Sequence, residues 1–419
     1  MACTRLLPQA NAGEEGSGVL RRSHRHRGRF RGALASPLED EDLLREILLR
    51  LPPQPSSLLR ASVVCKQWRC AATDSMFLHR FRIHHRKPPL LGVFHKLSYD
   101  DIIFTPILDH PDRIPPQRFD LKLGDADSRT KFIVILLDCR HGRILLTSKQ
   151  RDDDVIVWDP IIGEQRRVVV PPEFKVYNNV SMAVVCAASN HDHVHGSCHS
   201  SPFKVVLVSP LGAENRLAAC VYSSDTGIWG DIISMSVPCE IYYVGTSGLL
   251  VGNALYWLLD PISDGILEFD LDEQSLAVIK GPVVTNDFLH DSTWIIQAED
   301  GAVGFAILSY HHLQLWQMNI NFHGAVTWVL QKTIDTHAIL GLPPQIEGWE
   351  TSIVGCVEDA DEILILVGCG VYMVQIKSMQ CRKLCEIGHF TYCYSFKSFY
   401  PPGTTIPGGC DGAEMLHNT

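Results

Sequence analysis

The sequence predicts an α+β chain of two domains: a small N-terminal three-helix unit followed by an all-β, propeller-like repeat domain. Three observations carry that expectation. A capped amphipathic pattern starts at Ser36 and stops at a proline pair. Near Leu90 the texture changes to short runs rich in Val, Ile and aromatics. Those runs then recur as a hairpin with an acidic turn, at a period of roughly 45 to 65 residues.

The first helix has a complete set of start signals. Ser36 can accept from free backbone N–H groups, Pro37 suits the first helical position, and Glu39 completes a capping box. Asp40, Glu41 and Asp42 place negative charge at the positive end of the helix dipole. Leu44, Ile47, Leu48 and Leu51 fall at i, i+3, i+4 and i+7 and form one apolar face, which Pro52 and Pro53 terminate. A second helix, capped by Ser56 or Ser57, carries Leu58, Leu59, Val63 and Val64. A third begins at Cys65-Lys66-Gln67-Trp68 and trails off through Met76, Phe77, Leu78 and Phe81.

The β region repeats one beat. Gly142–Leu146 and Val155–Trp158 are followed by the turn Asp159–Glu164 and the return Val168–Val170. Copies lie at Lys204–Trp229 and Ala254–Ile279, with weaker ones at Val303–Leu330 and Glu362–Cys385; Leu91–Leu123 can supply another. Trp158, Tyr222, Phe269, Trp316 and Val374 hold the equivalent anchor positions. A single four-stranded blade cannot bury both of its faces, whereas blades packed in a ring can. The expected number of blades lies between five and eight. The predicted organisation is a basic disordered tail at 1–35, the helical domain at 36–82, the β domain at 90–403 and a flexible tail at 404–419.

Composition narrows the functional classes. Hydrophobic residues make up 46 % and charged residues 20 %, ordinary values for a globular chain. A formal net charge of −10 argues against general nucleic-acid binding, which needs surplus Lys and Arg. The longest apolar runs, Phe132–Leu137 and Ile363–Val374, are too short to span a bilayer, and no secretory signal is visible. Fourteen cysteines then read as reduced thiols of a cytoplasmic or nuclear protein, with Cys139, Cys186, Cys220 and Cys356 acting as small hydrophobes. Six arginines between Arg21 and Arg31 read as a solvated tail, or as a nuclear-targeting or acidic-partner patch.

The helical segment resembles the F-box motif. The resemblance rests on Leu38, on Asp42 to Pro52 with its Glu46-Ile47-Leu48 and Arg50-Leu51-Pro52 steps, on Leu58 to Ser62, and on Val63-Val64-Cys65-Lys66-Gln67-Trp68. Glu39 and Asp40 stand where the family often has Leu-Pro, a departure at the first contact. The resemblance implies binding to a Skp-type adaptor, and through it a cullin, with Leu38, Leu43, Leu44, Ile47, Leu48, Leu51, Pro52, Val64, Cys65 and Trp68 as adaptor-facing residues. The motif does not separate members that face the adaptor from members that face the unit's own core. Phe81 to Gly92, Val157 to Pro160 and Val251 to Trp257 are similar to plant F-box proteins whose C-terminal domain is propeller-like, of kelch type. That similarity implies a non-catalytic substrate receptor of a ubiquitin ligase, with a target protein bound by the β domain.

Other chemistry is thinly supported. His191, His193, His195, Cys198 and His199 offer metal-ligand types, but at no common zinc spacing, so the expectation is a surface loop without metal. Cys381 and Cys385 read as strand residues. No Walker loop, dinucleotide fingerprint, nucleophile elbow or H-E-x-x-H pair occurs, and His311 and His312 precede a strand. Asp159, Asp225 and Asp270 have a structural role as turn acceptors. The tryptophans at 158, 229, 257, 294, 316 and 328 read as fillers between packed sheets rather than as a peptide-binding face. No catalytic residue, metal ligand or cofactor is assigned. A metal-binding or enzymatic propeller, and an adaptor-bound scaffold outside ubiquitin transfer, stand as alternatives.

Overall fold

The computed structural model describes residues 40–400, apart from 97–100, 122–133, 149–150, 175–179, 189–192, 212–215, 238–242, 245–247, 261–264, 283–292, 310–311, 342–350 and 388–390. The two predicted tails, and Leu38, lie outside the described residues.

Four short helices come first among the described residues: α1 (Glu41–Leu49), α2 (Pro55–Ser62), α3 (Lys66–Thr73) and α4 (Ser75–His85). The start of α1 falls later than the Ser36 signal implies. Its cap is Asp40, which accepts from the N–H groups of Asp42 and Leu43 at 3.0 and 3.1 Å. Pro55 occupies the first turn of α2, so Gln54 is the capping residue in place of Ser56 or Ser57. The third helical stretch is divided at Asp74. Its extended backbone ends α3, and its carboxylate accepts from Phe77 N–H at 3.0 Å to start α4.

Six antiparallel sheets follow. The first consists of β1 (Leu90–Lys96) and β2 (Ile102–Pro106), completed by the strand nearest the C-terminus. The second is β3 (Val134–Arg140), β4 (Arg143–Ser148), β5 (Arg151–Asp159) and β6 (Glu164–Val169). The third is β7 (Ser181–Cys186), β8 (Phe203–Leu211) and β9 (Arg216–Ser223), edged by β10 (Ile228–Trp229) and β11 (Ile233–Ser236). The fourth is β12 (Tyr243–Val244), β13 (Leu249–Val251), β14 (Ala254–Asp260), β15 (Ile266–Asp270) and β16 (Ser275–Ile279). The fifth is β17 (Thr293–Gln297), β18 (Val303–Leu308), β19 (His312–Ile320) and β20 (Val326–Asp335), after which comes the one-turn helix α5 (Thr336–Leu340). The last is β21 (Thr351–Val357), β22 (Glu362–Val367), β23 (Gly370–Gln375) and β24 (Gln380–Glu386). Finally, β25 (Cys393–Lys397) returns to β1 and pairs antiparallel with it, Val93 opposite Ser395 and Phe94 opposite Tyr394.

The domain is a six-bladed propeller, and the interfaces prove the closure. Each neighbouring pair of sheets shares its own buried apolar cluster, six in all, in addition to the separate core of the helical unit. The closing interface is aromatic. Phe94, Phe104, Phe119, Trp158 and Phe396 meet there, with Phe94 5.3 Å from Phe396 and 5.9 Å from Trp158 between ring centroids. All five anchor residues lie on the strand one in from the blade's outer edge: β5, β9, β15, β19 and β23. The six tryptophans pack into inter-blade clusters. Two of them also pin outer edges together. Trp229 Nε1 donates to Val169 O, and Trp328 Nε1 to Lys280 O, each at 2.7 Å across the next blade boundary. Gly355 on β21 marks how tightly the inner strands approach, since a Cβ there would stand 2.2 Å from Cys393 O on β25.

Candidate functional site

The helical unit divides its apolar residues between two faces. Leu44 and Leu48 of α1 are fully buried and form a core with Leu58, Ala61, Ala71, Ala72, Phe77 and Phe81. Leu43 and Ile47 occupy the adjacent stripe of α1 and are 49 % and 39 % exposed. On and after α2, Leu59, Val63 and Val64 also face solvent, Val64 at 60 %. Of the ten residues the motif singles out, Leu43, Ile47, Pro52, Val64 and Cys65 are exposed, Leu51 and Trp68 are half-buried against the core, and Leu44 and Leu48 are interior. Leu59, Val63 and the 68 %-exposed Met76 were not in that set. The i, i+4 spacing of Leu59 and Val63 is the signal that finds them. Each large aliphatic side chain left in water forgoes roughly 1.5–3 kcal/mol of burial.

Among the described residues, two hydrogen bonds tie the unit and its linker to the propeller. Ser56 N–H donates to Asp112 Oδ1 at 2.9 Å, and Lys87 Nζ to Asp359 O at 3.2 Å. Beneath the linker at Arg86–Pro88 lies a cleft of about 260 Å³, with Arg140, His141 and Glu358 in its wall.

That wall contains a buried charge network. Arg140, on β3, donates through Nε and Nη2 to the Glu358 carboxylate at 2.6 to 2.9 Å, through Nη1 to Asp138 Oδ2 at 2.7 Å, and through Nη2 to Gly248 O at 2.6 Å. Asp138 Oδ2 also accepts from Val184 N–H at 2.8 Å, and Glu358 Oε1 from Leu250 N–H at 3.2 Å. One guanidinium and its two carboxylates therefore join strands of four different blades. Burial raises the Asp138 carboxyl to about 6, against the opposing pull of Arg140. Nothing in the sequence marks this network, because its members are up to 220 positions apart.

The described part of the histidine-rich loop, from His193 onward, packs against the end of β7. His191 lies outside the described residues, and His199 turns away to pair with Asp159 at 2.7 Å. His193, His195 and Cys198 converge instead on Cys186, the last residue of β7. Cys186 is therefore not a simple core thiol. The hydrogen bond from Cys198 holds the Cys186 thiol below its ordinary range, and the same bond pushes Cys198 up. Cys220 does sit in an apolar cluster as expected. Asp159 and Asp270 act as turn acceptors, each taking the N–H groups of the residues two and three positions on. Among the described residues no helix is long and apolar enough to cross a membrane.

A capped helical unit with these motifs, joined to a six-bladed ring, defines an F-box protein with a propeller domain. The F-box domain profile matches residues 40–80, and the profile described as F-box protein AT5G49610-like, beta-propeller, matches residues 135–402. The chain belongs to that AT5G49610-like propeller family of F-box proteins. Its relatives are plant proteins. It is 25 % identical to the Arabidopsis thaliana F-box/LRR-repeat protein At2g43260 over 62 % of this chain and 59 % of that one, so it spans well under two thirds of that relative. It is 23 % identical to the Arabidopsis thaliana F-box/kelch-repeat protein At2g43445 over 74 % of this chain and 71 % of that one. Among solved structures, that of YjhT aligns at a TM-score of 0.34 with 9 % identity over 61 % of this chain and 85 % of that one, too distant to carry an argument.

Proposed function

We propose that the protein is a non-catalytic substrate receptor of a Skp–cullin–F-box ubiquitin ligase. The helical unit docks a Skp-type adaptor, and the propeller holds the target protein. The observation that carries this reading is the apolar surface left over once the helical unit has closed its own core: Leu43, Ile47, Leu59, Val63, Val64 and Met76. Within the motif-derived set, Leu43, Ile47, Leu51, Pro52, Val64, Cys65 and Trp68 are the adaptor-facing residues, whereas Leu44 and Leu48 support them from within. The protein makes and breaks no bonds in this role. It raises the effective concentration of a target lysine near a charged ubiquitin carrier.

Burial decides which variant tests the reading. Leu48→Asp would place a charge in a fully buried site and unfold the unit, so loss of binding there proves nothing. Ile47→Asp and Val64→Asp alter exposed positions and leave the fold intact. Purified full-length protein is expected to bind a plant Skp-type adaptor, and the double variant to bind it at least about tenfold more weakly with an unchanged circular dichroism spectrum, since ~1.4 kcal/mol is tenfold. Equal binding by the two proteins would overturn the assignment.

A further inference from the structure

We propose that Cys186, His193, His195 and Cys198 form a structural zinc site. The four ligand atoms lie within 4.8 Å of one another. His193 Nε2 is 3.2 Å from Cys186 Sγ and 3.3 Å from Cys198 Sγ, and His195 Nδ1 is 3.7 Å from Cys198 Sγ. With zinc–sulfur bonds of about 2.3 Å and zinc–nitrogen bonds of about 2.0–2.1 Å, a tetrahedron has S···N edges of about 3.6 Å. The observed distances bracket that edge. Two thiolates and two imidazoles are a donor set suited to tetrahedral zinc, and four protein ligands would leave no open position for catalysis.

The surroundings hold these ligands in place. His141 stacks on His195 at 3.7 Å between centroids and 15° between planes. Its Nδ1 accepts the backbone N–H of Cys186 at 3.1 Å. Arg143 Nη2 donates to the carbonyls of Cys198 and Ser201. Gly196 O accepts from Ser398 Oγ and from Phe399 N–H, both at 2.9 Å. Charge balance is favourable too, because a divalent cation with two thiolates is neutral beside the Arg143 guanidinium, with exposed His195 on the solvent side.

The site also has a structural consequence. Gly196 lies so close to Pro88 that a Cβ on it would stand 2.6 Å from the proline ring. The metal loop is thus the floor under the linker that joins the helical unit to the propeller. Holding the loop fixed holds the linker fixed.

The test uses full-length protein purified with reductant and incubated with zinc. Elemental analysis is expected to give about one zinc per chain, falling to background in C186S/C198S. Cobalt in place of zinc is expected to show the intense visible bands of a tetrahedral ion together with thiolate-to-cobalt charge transfer, a readout independent of any variant. Chelation is expected to speed hydrogen exchange at Arg86 and Lys87. His199→Asn is expected to keep the metal, and its loss there would overturn the ligand set. Sub-stoichiometric zinc after incubation, cobalt spectra without thiolate bands, or a Cys186–Cys198 disulfide with no metal uptake would each overturn the site.

Discussion

The helical unit and the propeller treat their apolar surface in opposite ways. Among the described residues each blade shares a buried apolar cluster with the next, β25 against β1 completes the first sheet, and the exposed large apolar side chains of the ring, such as Val169, Phe322, Val329 and Leu330, lie on outer strands and their turns. The helical unit closes a core of eight residues and leaves aliphatic side chains of α1 and α2 in water. The difference follows from size and closure. Four short helices enclose too little volume to bury all their apolar residues, whereas a ring of blades packs neighbouring sheets face to face along their inner strands. The ring thus exposes apolar residues at its rim, whereas the helical unit exposes them on a face of α1 and α2 next to its own core.

That contrast can be broken or sharpened by substitution. The largest effect is expected in the ring: Trp257→Ala, at a fully buried position between blades, should cost about 3–5 kcal/mol and lower the thermal midpoint in calorimetry. Arg140→Met strands Asp138 and Glu358 without their cation and should cost a similar ~3–5 kcal/mol by denaturant titration. Within the helical unit, Leu48→Ala should cost about 2–5 kcal/mol and open residues 41–85 to protease before the propeller is attacked. A pH effect comes next. The folded-state pKa of Asp138, about 6, lies above its ordinary 3.8, so the native protein binds more protons than the unfolded chain in between. That contribution to stability is full below pH 3.8 and is lost as pH rises through 6. Asp138→Asn should flatten this slope in melts run across that window. The smallest effect is on the open face: Leu43→Ser should change stability by no more than about 0.5 kcal/mol while weakening adaptor capture. A large loss of stability from Leu43→Ser would show that the face is already covered by the chain itself.

Much of this was legible in the sequence because it is local. The i, i+3, i+4 pattern of α1, the proline stop, the acidic turns at Asp159 and Asp270 and the anchor positions from Trp158 to Val374 all depend on near neighbours. The start of α1 was ambiguous because Ser36 and Asp40 are both good caps. Inward and outward faces could not be ranked, since Leu44/Leu48 and Leu43/Ile47 have the same i, i+4 spacing one residue apart. Packing against Phe77 and Phe81 of α4 decides between them. The Arg140 network and the convergence of Cys186 on His193 were illegible for another reason. Each depends on where the backbone turns back, not on any spacing along it.

Blade closure has a consequence for synthesis. The two strands that begin the ring emerge from the ribosome first, and their partner β25 emerges last of all the described strands. Until then Phe94 and Phe104 have no Phe396 to pack against. A nascent or prematurely terminated chain would therefore display a finished F-box beside an open, sticky edge, and a stop codon anywhere before Cys393 would release a protein that quality control can recognise by that exposed aromatic seam.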